Sequence, residues 1–374
     1  MSALPAASRR RLGLAEMADL ARGCAFLGSG GGGDPQATLI ELEAYSGGDF
    51  SVELLDAESL DDDALVAPCG WIGAPTVSAE KLPSGQEALL GLRKLEARLG
   101  RRVDAVFPIE IGGSNGLAPI LLALRAGVPL VDCDGMGRAF PESQMVILNV
   151  CGISASPAVL TDDKGNCVII EAADNVSEER IARAVSTVLG ASCHLMEYSL
   201  SGSQTKAFAL SGTVSDALAI GRSIRVGRDC GGDPFASLFA ALKSSRQFSK
   251  AGVLFDGKII DIQRETKGGF SLGKAIIEAA GGGARLEIDF KNENLVARLD
   301  GVVRAIVPDL ITIVDRETAE TIVTERLKYG QRVRVVGASA PLALRTPEAL
   351  AILGPSALGI ATPYQEIEVL NGWT

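Results

Sequence analysis

Histidine is almost missing from this chain: of 374 residues, only His194 carries an imidazole. Three-histidine zinc sites, HExxH metalloproteases and C2H2 fingers are therefore excluded, and any catalytic triad needing histidine must use His194. No basic stripe is present either, and 36 basic against 46 acidic residues leave a net charge of -10. That balance argues against nucleic acid and anionic membrane as partners. The most apolar stretch, Leu117 to Val131, is too short to span a bilayer and is split by Arg125. Arg9-Arg10-Arg11 has the look of a basic signal region, but Glu16 and Asp19 interrupt the apolar segment after it. Paired CxxC spacing is also absent. The seven cysteines, an odd number, suit reduced thiols and predict a cytoplasmic protein.

What is present is a large apolar fraction, 47%, enough for a packed core. At about 150 residues per domain the length predicts two domains. In the first part, residues 1–174, helical spacing marks Leu14 to Phe26, and Asp34-Pro35 opens a second helix through Tyr45. Ser51 to Leu55 reads as a strand. Three further apolar runs, Ala64 to Ala67, Val103 to Ile109 and Val128 to Val131, each end in a polar turn. Helices over Glu87 to Leu99 and Leu117 to Ala126 fall between them, and this alternation predicts a mainly parallel sheet in a three-layer α/β domain. In residues 175–374 helices come first, over Glu178 to Leu189, Val214 to Arg225 and Pro234 to Leu242. From Gly252 onward β-type runs alternate with turns, and Asp256-Gly257 and Asp300-Gly301 read as hairpin signals of a β-barrel-like domain.

Gly28, Gly30 and Gly33 match the GxGxxG dinucleotide fingerprint, but the entering segment is helical where a strand is required. Two readings of the loop remain. Bare backbone at Gly30, Gly31 and Gly32 before a helix is a carboxylate or anion site; alternatively it is a tight turn where two elements approach closely.

Ligands of parallel sheets bind beyond the carboxyl ends of the strands. Those ends collect Cys69, Glu110, Ser114, Asn115, Asp132, Cys133 and Asp134, followed by Arg138 and Glu142. Asp132, Asp134 and Glu110 are candidate bases, although aspartates in turns also bond their own backbone. Arg138 and Glu142 stand at helical spacing and form either a substrate clamp or a salt bridge. Cys69 and Cys133, with Cys193 or His194, are candidate zinc ligands; the flanking aspartates suit Cys133 to metal binding better than to nucleophilic attack.

The order of short motifs along the chain resembles the S-methyl-thiohydantoin desulfurase-like family, whose members occur beside hydantoinase and oxoprolinase components. The matching stretches include Phe26-Leu-Gly-Ser-Gly-Gly-Gly-Gly-Asp-Pro35, Ile72-Gly-Ala-Pro-Thr76, Ile111-Gly-Gly-Ser-Asn-Gly116 and Val131-Asp-Cys-Asp-Gly-Met-Gly-Arg-Ala-Phe-Pro-Glu142. Gly212-Thr-Val-Ser215, Asn292-Glu-Asn-Leu295 and Tyr329-Gly-Gln-Arg-Val333 continue the match towards the end. The resemblance implies an α/β domain, a β-barrel-like domain, and desulfuration of a thiohydantoin-type ring. The mechanism then expected is hydrolytic. Zinc on Cys69, Cys133 and Cys193 or His194 would hold the departing sulfur, and Asp132, Asp134 or Glu110 would activate water. Gly30, Gly31, Gly32, Ser114, Asn115, Arg138 and Glu142 would hold the heterocyclic substrate. A homo-oligomer is expected. The alternative reading is a non-catalytic partner of a hydantoinase-like enzyme.

Overall fold

The computed structural model describes residues 9–46, 51–74, 77, 80–81 and 83–373. The strands of the first part are β1 (Arg9–Gly13), β2 (Ser51–Leu55), β3 (Leu65–Gly73), β4 (Ala105–Pro108) and β5 (Leu130–Val131). A two-residue β6 (Cys133–Asp134) comes after them, then β7 (Ala158–Thr161), β8 (Cys167–Ile170), β9 (Ser192–Met196), β10 (Leu200–Ser201) and β11 (Leu210–Ser211). Nine of these form one sheet in the order β1-β2-β5-β4-β3-β9-β7-β8, with β10 also on β3, while β6 and β11 make a separate ribbon.

The sheet is mixed. Only β2, β5, β4 and β3 run parallel; β1, β7, β8, β9 and β10 add antiparallel edges. The parallel block is the part whose apolar runs end in polar turns. The antiparallel strands β7 to β9 escape such a pattern because they are short, and β9 is buried on both faces.

The helices are α1 (Leu14–Leu27), α2 (Pro35–Ser46), α3 (Glu87–Leu99), α4 (Ala118–Ala126), the single turn α5 (Ile147–Val150), and α6 (Asn175–Val188). Next come α7 (Gly202–Phe208), α8 (Thr213–Asp229) and α9 (Pro234–Ser244). Helix α3 buries Leu92 and Leu95 at helical spacing against Cys69 and Met196, in one core with α1, α4, α8 and α9. Helix α6 covers the opposite face, over Ile72, Cys193 and Leu195.

The second sheet holds β12 (Ala251–Lys267), β13 (Phe270–Ala279), β14 (Arg285–Lys291), β15 (Glu293–Leu299), β16 (Val302–Ile306), β17 (Leu310–Asp315) and β18 (Arg332–Ala338). It is antiparallel in the order β16-β15-β14-β13-β12-β18-β17 and curls into a half-barrel. Strand β14 shows why: Leu286, Ile288 and Phe290 alternate with half-buried or exposed polar residues. Asp300-Gly301 does turn the β15–β16 hairpin, with φ of 48° and 85°. Asp256-Gly257 does not turn. It lies inside β12, where Asp256 accepts from Arg334 at 2.8 Å and the strand continues. Two short helices close the chain, α10 (Pro347–Leu353) and α11 (Ile367–Asn371).

The two sheets share their cores. Leu310, Val314, Val336 and Ala338 of the half-barrel join the core of α1 and α8. Phe107, Cys133, Met136 and Phe140 pack with Leu295, Val296 and Ile306. No helix among the described residues is long and apolar enough to cross a membrane.

Candidate active site between the sheet and the half-barrel

A cavity of about 410 Å³ opens where the glycine loop, the ends of β3 and β4 and the start of β15 meet. That volume suits a small ring compound. Its lining mixes flat apolar side chains, Trp71 and Phe140, with the carboxylates of Glu110, Glu293 and Glu197.

Glu110 stands just past the carboxyl end of β4, as the strand pattern predicts, and is buried. Its Oε1 accepts from Asn115 Nδ2 at 2.5 Å and its Oε2 from the Phe140 amide at 3.0 Å. Asn115 is fixed in turn, because its Oδ1 accepts the Trp71 amide at 2.6 Å. With the oxygen so occupied, the Asn115 amide nitrogen can only donate towards Glu110. Burial, and then the charge of Glu293, push the Glu110 carboxyl up to about 8.

Glu293 is the residue that sequence reasoning missed as a site member. It begins β15, directly after Asn292, which turns the chain with a φ of 57°. Its Oε1 accepts from the Gly32 amide at 3.0 Å, and its buried Oε2 has no partner. Burial raises its carboxyl to about 7, against the opposing pull of the Arg138 charge. A polar Lys-Asn-Glu-Asn run breaking an alternating strand pattern was the available signal.

Both readings of the glycine loop hold in part. The amide of Gly32 does bind a carboxylate, but it is the chain's own Glu293. Gly30 and Gly31 lie against the half-barrel. The Gly30 carbonyl accepts from the Thr324 amide at 2.9 Å, and a side chain at Gly31 would sit 2.1 Å from Glu293 Oε1. Ser114 serves the same junction, donating from its amide to the Gly32 carbonyl at 2.9 Å and from Oγ to the Asp34 carbonyl at 2.8 Å. Gly32 and Ser114 reach the cavity wall; Gly30 and Gly31 do not.

The other expected site residues lie elsewhere. Asp132 caps α8, accepting from the Ser215 amide at 3.0 Å and its hydroxyl at 2.6 Å. Asp134 is buried, and its Oδ2 gathers the amides of Ile111, Met136 and Gly137 at 2.9, 3.1 and 2.7 Å. It holds the loops that carry Glu110 and does not line the cavity. Arg138 is fully buried and donates to the carbonyls of Asn294 at 3.1 Å and Asp309 at 2.7 Å, so it ties the half-barrel to the first sheet. Glu142 pairs with Lys291 and Gln144, not with Arg138.

The expected zinc ligands do not come together. Cys69 faces the core of α3, Cys133 packs with Phe107 and Phe140, and Cys193 points to the α6 side of the sheet. Cys69 also sits within β3 and not at its end, because the strand runs on to Gly73. His194 stacks edge-on against Trp71 with ring centroids 5.5 Å apart, and burial holds it down to about 3. Burial raises all three thiols, Cys193 to about 11 and the others further. Among the described residues, no three His, Cys, Asp or Glu side chains are grouped to hold a metal ion. The donor set therefore does not fit zinc.

Two family models match in succession: the S-Me-THD-like N-terminal domain over residues 15–172 and the S-Me-THD-like C-terminal domain over residues 173–367. Among curated proteins none matches the chain. Among solved structures, a protein from Chromobacterium violaceum is similar, with 23% identity and a TM-score of 0.79 over 96% of this chain and 100% of that one. That likeness extends the fold, sheet and half-barrel together, to a second sequence. The family models span both halves of the cavity, and the chain belongs to the S-methyl-thiohydantoin desulfurase-like family.

Proposed function

We propose that the chain hydrolyses the carbon–sulfur bond of a thiohydantoin-type five-membered ring, with Glu110 and Glu293 as the acid–base pair. The observation that carries this reading is the cavity itself. Two buried carboxyl groups repel each other there, both are raised towards neutrality, and one oxygen has no partner. Two such groups hold about one proton between them near neutral pH, so the site owns a base and an acid at once.

Glu293 is the base. Its free oxygen takes a proton from water, whose oxygen bonds to the ring carbon that carries sulfur. The carbon becomes tetrahedral as the electron pair of its double bond moves to the ring nitrogen of an S-methyl ring, or to the sulfur of a thioxo ring. It then forms a carbonyl as the carbon–sulfur bond breaks, and the remaining hydroxyl proton passes to that nitrogen or sulfur. The departing sulfur takes the proton of Glu110 and leaves as a thiol, methanethiol from an S-methyl ring or hydrogen sulfide from a thioxo ring. The ring remains as a hydantoin, and the proton taken by Glu293 restores the shared one. Trp71 and Phe140 offer flat faces to a planar ring.

The test is release of methanethiol from an S-methyl-thiohydantoin by the whole protein. Glu110→Gln and Glu293→Gln should each abolish it while the fold is kept. Full turnover by either variant would overturn the assignment.

A further inference from the structure

The same cavity reaches a second pair of carboxyl groups that this mechanism leaves unused. Glu197 comes directly after β9 and lines the cavity; Glu178 lies behind it in the first turn of α6. Glu197 is 1% exposed and Glu178 0%. They stand within hydrogen-bonding reach of each other. Yet neither oxygen of Glu178, nor Oε2 of Glu197, receives any N–H or O–H. The Ser143 hydroxyl adjoins both without a bonding geometry to either, and the fully buried Tyr198 hydroxyl beside them is likewise unpartnered.

The charge of Arg183 reaches Glu178 and pulls its carboxyl down, but less than burial pushes it up. Arg183, on the same helix, donates from Nε to Glu179 at 2.7 Å and from Nη2 to the Pro141 carbonyl at 3.0 Å. Glu179 takes the Ser143 amide at 3.0 Å on its other oxygen, so it is satisfied and adds repulsion. Two facing buried carboxylates with no donor adjoining them but the Ser143 hydroxyl cannot both be ionised. With a proton on each, the Glu178 hydroxyl donates to Glu197 and satisfies the contact, and Glu197 keeps its own hydroxyl to present as a donor beside an acceptor. Tyr198 is held in the left-handed region with a φ of 52°, a conformation kept where the chain must aim its neighbours.

We propose that Glu178 and Glu197 are both kept as carboxylic acids, Glu178 donating to Glu197, and that Glu197 forms a second recognition edge of the cavity, complementary to the N–H and C=O edge of a cyclic amide. This rests on the reading of the cavity as a site for thiohydantoin-type rings, whose hydantoin products carry that edge. A neutral carboxyl group meets it with two parallel hydrogen bonds, whereas an ionised one can only accept. Glu178 does not touch the ligand and acts as a positioning residue through Glu197.

Two measurements on the full chain test this. In the infrared spectrum, Glu178→Gln and Glu197→Gln should each remove a carboxylic-acid C=O band that Glu110→Gln leaves in place. Calorimetry with hydantoin itself should show Glu197→Ala weakening binding about tenfold or more, the loss of one or two hydrogen bonds. Glu197→Gln, which keeps a donor and an acceptor, should stay within about threefold of wild type. Glu178→Gln should weaken binding although it is remote, because an amide donor leaves Glu197 ionised. An unchanged acid band in either variant overturns the neutral pair. Hydantoin that fails to bind the wild type, or that Glu197→Ala still binds as tightly, overturns the recognition edge. Neither result touches the Glu110 and Glu293 assignment, which is judged by methanethiol release.

Discussion

Asp134 and Glu110 are both buried carboxylates a few residues apart in space, yet they are used in opposite ways. One oxygen of Asp134 binds three backbone amides and freezes the loops after β4 and β5. Glu110 binds one amide and one side chain, faces a cavity, and shares its charge environment with Glu293. The difference lies in what each faces: Glu110 lines the cavity beside Glu293, and Asp134 does not reach it. A carboxylate gripped by three backbone amides away from any cavity is architecture; one placed beside another carboxylate and an open space can exchange a proton.

The sharpest way to break that contrast is to swap the acids for amides. Glu110→Gln should cut turnover about a hundred- to ten-thousandfold, the usual weight of a general acid, with the thermal midpoint unchanged or raised. Asp134→Ala should do the reverse in kind, costing about 3 kcal/mol of stability by orphaning backbone amides, measured by denaturant unfolding. If Asp134→Ala unfolds no more easily than wild type, the architectural reading is wrong.

The effect of pH should separate the groups next. Glu110 and Glu293 bind protons in the folded protein at pH values where the unfolded chain has already lost them. The folded state therefore holds more protons, and stability must fall as pH rises from about 5 to about 8. A calorimetric scan should show that fall, and Glu110→Gln should flatten it. Turnover should trace a bell centred near neutral pH, since both the empty and the fully protonated pair lack one partner. The smallest effect is expected at Cys133. Replacing it with Ser should cost about 1 kcal/mol for a hydroxyl in an apolar core and leave methanethiol release intact; loss of turnover would return that thiol to the chemistry.

Much of the frame was legible. Helical spacing predicts α1, α2 and α3 to within a residue or two, and β2 matches residue for residue. The expectation that a ligand site lies beyond the strand ends matches the cavity wall at Glu110 and Asn115. It cannot rank them against Asp132 and Asp134, because an aspartate that caps a helix and one that moves protons look alike in a sequence. Glu293 was out of reach for a different reason. The Lys-Asn-Glu-Asn run marks a break in the strand pattern, but not what Glu293 meets there, because that is the glycine loop, separated from it by most of the chain. Asp256-Gly257 misleads in the same way. The glycine is there because the Glu278 carbonyl of the neighbouring strand would lie 2.2 Å from a side chain, not because the chain reverses.

The division of the proposed acid–base pair has a consequence for how this protein can be cut or recombined. Glu110 belongs to the first family unit and Glu293 to the second, and the glycine loop is the seam that seats one against the other. Neither unit owns a working half of the chemistry. A chain severed between them would regain turnover only when the two fragments re-dock in equal number, so activity would report assembly. Carrying both units on one polypeptide fixes that ratio, and shuffling either against a distant relative must preserve the seam before it can preserve the site.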